Sequence, residues 1–187
     1  MADAYHDVSA VEAAVALANT WMPIRGKDAL ETVEQLGDFL AEHPVGRDRS
    51  GAGPTEADLA EVRAVRETVR AVLERADTDP AGAATLINDG LRRSRATPTL
   101  RHDRDDRWRI EVASDDDRPG AHLAATTLTA LAGVIAALGP GRLGVCAGPT
   151  CRATYVDLSR NGSKQYCTRT CAHRASVAAY RSRTSDR

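Results

Sequence analysis

The 187-residue sequence predicts a mainly α fold with a small β-hairpin, an α+β arrangement in which an α-rich N-terminal domain over 1–139 precedes a compact module over 140–187. Three observations carry this. The composition is 42% hydrophobic but only 4% aromatic, so Ala, Val and Leu must fill the core, which suits closely packed helices. Capping signals recur in front of apolar stripes of helical period. All four cysteines lie beyond the break at Gly139-Pro140-Gly141.

Ser9 with Glu12 opens a first helix, in which Val11, Ala14, Val15 and Ala18 share a face to about Thr20. Thr32 with Gln35 opens a second, carrying Val33, Leu36, Phe39 and Leu40 and ending before His43-Pro44. Residues 43–54, rich in Gly and Pro, read as loop. Thr55 with Asp58 starts the longest helix, with a stripe of Leu59, Val62, Val65, Val69, Val72 and Leu73 running to about Ala76. Asp79-Pro80 gives an N-cap and a first-turn proline for a fourth helix through Leu86, Ile87 and Leu91. From Thr97 the period changes: Leu100, Trp108, Ile110 and Val112 alternate with charged residues around Asp105-Asp106, a hairpin with one buried face. A last helix from about Gly120 to Leu138, apolar nearly all round, is the one the others pack on.

Charge is divided between the two parts. Residues 142–187 hold nine Lys or Arg against two Asp, a balance of +7, and residues 1–141 carry the compensating −8. A basic module favours phosphates or an acidic surface. No run approaches the ~18 consecutive apolar residues of a membrane span, and the first residues lack the pattern of a secretion signal, so a cytoplasmic protein without membrane contact is expected.

The cysteines run Cys146-x4-Cys151, fifteen residues, then Cys167-x3-Cys171. Two close pairs across a spacer supply the four thiolates that tetrahedral Zn²⁺ takes at ~2.3 Å. Gly148 and Pro149 let the first pair turn back as a metal knuckle. Thr154–Val156 and Lys164–Tyr166 read as short strands around Asn161-Gly162, and Thr168 as the cap of a helix whose first turn holds Cys171. Knuckle, hairpin and ligand-bearing helix describe a treble-clef-like zinc finger. Four thiolates leave the metal no open position, so the role is structural. Disulfides, unrelated thiols and a rubredoxin-like iron site are the alternatives. His173, beside Cys171, is read as a surface histidine.

The run from Cys146 to Arg183, with Asp157-Leu158-Ser159-Arg160-Asn161, Tyr166-Cys167, Cys171-Ala172-His173-Arg174 and Val177–Arg183, resembles the CGNR-type zinc finger of bacterial proteins. The family signature is Cys-Gly-Asn-Arg, and this chain has Ala172 and His173 in place of the Gly and Asn. Leu17-Ala18-Asn19-Thr20, Asp28, Leu30 and Asp38-Phe39-Leu40 resemble the ABATE domain that precedes this finger, a domain assigned to stress-induced transcription regulation. The resemblance implies a DNA-binding transcriptional regulator.

Arg152, Arg160, Lys164, Arg169, Arg174, Arg181 and Arg183 are the candidate nucleic-acid contacts, on duplex DNA. The competing readings are a zinc-stabilised protein-interaction module and a small-molecule sensor, for which Asn19, Trp21, Arg25, Asp28 and Trp108 are the candidate pocket. A small-molecule effector and a second copy of the chain are the other partners considered. No Ser/His/Asp set, phosphate loop or HExxH motif is present, so no enzymatic activity is expected.

Overall fold

The computed structural model describes residues 7–44, 53–102 and 108–185, so the Asp105-Asp106 turn and most of the 43–54 loop lie outside the described residues. Helix α1 (Val8–Asn19) is capped by Asp7, whose carboxylate accepts the Ser9 N–H at 2.9 Å. The expected cap, Ser9, is inside the helix instead and its hydroxyl donates to Asp7 at 2.6 Å, because the carboxylate is the better acceptor for a helix N-terminus. A short arm follows that the sequence did not announce: β1 (Trp21–Met22) pairs antiparallel with β2 (Lys27–Asp28) across a turn closed by Gly26 at φ +57°.

The next three helices begin where their caps predict. Thr32 and Gln35 form a reciprocal capping box on α2 (Val33–Glu42), Thr55 and Asp58 another on α3 (Glu56–Arg75), and Asp79 caps α4 (Pro80–Arg93) through the Gly82 N–H. Strands β3 (Ala96–His102) and β4 (Trp108–Ser114) pair antiparallel with Leu100 opposite Ile110 and His102 opposite Trp108. The hairpin is as expected, but its apolar face is not buried: Leu100, Trp108 and Ile110 are 63%, 66% and 75% exposed. Its base is fixed where the buried Ser114 hydroxyl donates to the Ser94 carbonyl at 2.6 Å and where β4 meets α5, and among the described residues nothing buries Leu100, Trp108 or Ile110.

Helix α5 (Pro119–Leu138) is the centre of the fold, with Leu123, Leu128, Leu131 and Val134 fully buried. Its length and mean hydropathy of 1.7 are those of a membrane-spanning helix, yet its apolar side chains pack on α1, α3 and α4. Small residues let these helices approach: α1 faces it with Ala13, Ala14 and Ala18, and a Cβ on Gly90 of α4 would sit 2.2 Å from a Leu128 methyl. Gly139, at φ +93°, ends α5, and a 3₁₀ turn (Pro140–Arg142) leads into β5 (Leu143–Val145).

Strand β5 pairs antiparallel with β6 (Thr154–Val156), and α6 (Arg169–Ser185) closes the chain. The predicted pairing of 154–156 with 164–166 is therefore corrected. Since β5 enters the first cysteine pair and β6 leaves it, the knuckle is itself the hairpin turn. Residues 164–166 join by single bonds, Tyr155 Oη donating to the Lys164 carbonyl at 2.7 Å and the Ala147 N–H to the Gln165 carbonyl at 2.9 Å. Leu143 and Val156 belong to the same buried cluster as the helices, each contributing roughly 1.5–3 kcal/mol by burial.

Candidate metal centre

Cys146, at the end of β5, donates its N–H to the Ala153 carbonyl at 2.9 Å, and Cys151 closes the turn by donating to the Gly148 carbonyl at 3.0 Å. Glycine at 148 keeps the turn open, since a Cβ there would come within 3.3 Å of the Cys151 Cβ and 3.4 Å of the Cys146 sulfur, a close fit. The other pair is set by Thr168, whose hydroxyl accepts the Cys171 N–H at 3.2 Å and so fixes the first turn of α6. The four sulfurs all lie within 4.8 Å of one another, and the Cys151–Cys167 and Cys167–Cys171 separations are both 3.7 Å. A tetrahedron of sulfurs about zinc with ~2.3 Å bonds has edges of ~3.8 Å, so the donor set fits the ion.

Burial, then the neighbouring sulfurs of Cys146, Cys151 and Cys171, push the Cys167 thiol up to about 12. Burial acts the same way on Cys146, but the N–H groups of Cys167 and Gly148 outweigh it and hold that thiol below its ordinary value. Backbone donors thus favour the thiolate at Cys146, and binding of a metal by the four sulfurs would displace their remaining protons.

Comparison with known families decides the class. The sequence model of ABATE, described as a putative stress-induced transcription regulator, matches residues 12–138, and that of the CGNR zinc finger matches residues 142–184. The chain belongs to the ABATE family. No curated protein matches it. In this ABATE chain the finger's four cysteines form a donor set consistent with Zn²⁺, and the departure from the signature at Ala172 and His173 leaves that set intact, with His173 exposed.

The finger is tied to the ABATE helices by residues that the sequence reading placed elsewhere or missed. Asn19, expected in a ligand pocket, lines a groove and also grips β6: its amide donates to the Thr154 carbonyl at 3.0 Å and accepts the Thr154 N–H at 2.8 Å. Buried Arg70 donates to the carbonyls of Ala18, Trp21 and Arg152 at 3.2, 3.1 and 2.8 Å, joining α1, the arm and the knuckle. Asp28 accepts both guanidinium nitrogens of buried Arg66 at 2.5 and 3.0 Å. Burial raises the Asp28 pKa, but Arg66 and the Leu30 N–H more than offset it and hold the carboxyl below its usual range. Arg66 was legible in principle, since it interrupts the apolar stripe of α3 at a core position.

The five pocket candidates are not brought together. Trp108 stands on the exposed hairpin and Asp28 is engaged by Arg66. Asn19, Trp21 and Arg25 do share a groove, but it lies between the arm and the finger. Of the basic residues, Arg152, Arg160, Lys164, Arg169, Arg174 and Arg181 are exposed, and the side chain of Arg183 lies outside the described residues. Lys164 donates to the Val156 carbonyl at 3.2 Å with its ammonium 5.4 Å from the Tyr155 ring centroid.

Proposed function

We infer that this ABATE chain is a non-enzymatic transcriptional regulator that contacts duplex DNA through the basic surface of its zinc finger. The observation that carries the reading is a set of uncompensated charges: among the described residues, Arg152, Arg160, Arg169 and Arg174 are exposed and none meets a carboxylate. A zinc–thiolate centre of formal charge about −2 calls for one or two nearby cations, fewer than the +7 of residues 142–187. Arg174 and Arg181 are seven residues apart on α6, close to two turns, so they present charge along one side of the helix.

A salt series on duplex DNA tests it. About four to six phosphate contacts give a slope of log affinity against log salt of roughly −4 to −5, and Arg174→Glu or Arg181→Glu reduces that slope without changing zinc content. A salt-insensitive interaction that neither substitution alters would sink the DNA reading. Retention of an acidic protein by the same chain would then favour the interaction module, because carboxylates and phosphates attract the same surface.

A further inference from the structure

The groove between the ABATE arm and the finger has a volume of about 470 Å³, and because Cys151, Cys167 and Cys171 are in its wall, part of that volume is the place of the metal and the rest is open to a small molecule. One wall is the arm, with Trp21 and Met22 half-buried and Ile24 53% exposed, and Pro149 of the knuckle faces it. Four cations border this apolar lining: Arg25 at the arm's tip, Arg152 after the knuckle, Lys164 from the loop and Arg174 from α6. Arg25, Arg152 and Arg174 meet no carboxylate among the described residues. A zinc–thiolate centre formed by the cysteines in the groove wall would carry about −2 and offset only part of the charge of four cations.

We propose that this groove binds a small organic anion with a flat apolar body, and that the bound anion competes with DNA for Arg152, Lys164 and Arg174. The apolar wall selects against a bare phosphate backbone, which presents no surface for Trp21, Met22 and Ile24 to cover. The cations require the negative group, and Arg25 is the one that comes from the ABATE domain. A ligand held between Arg25 and Arg174 spans both parts of the chain and withdraws charge from the finger's surface. The competition half of the proposal rests on the DNA reading above; the binding half does not.

Anilinonaphthalene sulfonate, an anion on a flat aromatic body, is the probe, titrated into the zinc-loaded full chain beside its uncharged analogue phenylnaphthylamine. One saturable site is expected, with the uncharged compound about tenfold weaker, and Arg25→Gln and Arg174→Gln each weakening the dye by about tenfold. Ile110→Thr, on the exposed hairpin, leaves dye binding unchanged. Dye affinity that survives Arg25→Gln and is lost in Ile110→Thr places the dye on the hairpin and overturns the site, as does equal binding of the uncharged analogue. Saturating dye should weaken duplex DNA binding, and unchanged DNA affinity overturns the competition. If the chain binds no DNA while dye binding still follows Arg25 and Arg174, the DNA reading fails and the anion site stands.

Discussion

Asn19 and Asp28 were read as pocket residues because polar side chains at element ends are ambiguous in a sequence: the same residue type can face a ligand or close a local backbone. In the structure both have backbone or ion-pair partners, and Asn19 lines the groove beside the finger as well. Asn19 gives Thr154 a donor and an acceptor 135 residues away, a pairing no local pattern encodes. Asn19→Ala leaves the Thr154 backbone groups unpaired and is expected to cost about 1–3 kcal/mol, read as a lower denaturation midpoint in urea. Asp28→Asn leaves buried Arg66 with only the exposed Glu67 carboxylate at 3.3 Å, a loss of roughly 3 kcal/mol at neutral pH. Because the folded Asp28 pKa lies below its unfolded value, its stabilisation is full above about pH 4 and disappears as pH falls through the folded pKa. The stability gap between wild type and Asp28→Asn should therefore close below about pH 4, and a gap that stays constant with pH would show that the Arg66 pair does not carry it.

At the scale of elements, helix starts were the most legible part because a cap is a local bond: Thr32, Thr55 and Asp79 each satisfy N–H groups within three residues. Strand partners were less legible. The alternation from Leu100 to Val112 correctly announced a hairpin, but which face is covered depends on a neighbour the alternation does not contain, and among the described residues none buries Leu100, Trp108 and Ile110. Likewise Thr154–Val156 read as a strand and was one, but its partner was Leu143–Val145 rather than 164–166, since pairing follows from the knuckle's own reversal. The corrected exposure has a direct consequence. Ile110→Thr should change stability by no more than ~0.5 kcal/mol, whereas Leu131→Ala, which opens a cavity in the middle of α5, should cost about 2–5 kcal/mol. Equal losses in thermal unfolding would mean that the hairpin face is covered in solution.

Across the whole molecule, the four-cysteine spacing and the charge division identified the finger before any fold was known, because both are properties of composition along the chain. What they did not convey is how far the finger shares the core of the helices. Leu143 and Val156 lie in the same buried cluster as α1, α3 and α5, Asn19 bonds directly to Thr154 of β6, and Arg70 bonds to Arg152 just after Cys151. Removing zinc with a chelator should therefore lower the unfolding temperature of the helical signal as well as loosening residues 142–183. A helical transition unmoved by chelation would mean that the finger folds and unfolds alone.

The zinc centre on which this arrangement depends is tested most directly by zinc-edge X-ray absorption on the chain purified under reducing conditions. One zinc per chain with four sulfurs at ~2.3 Å is expected, falling to a depleted or altered shell in Cys167→Ser. A chain that carries no zinc, or whose zinc has nitrogen or oxygen ligands in place of any of the four sulfurs, would contradict a centre formed by Cys146, Cys151, Cys167 and Cys171.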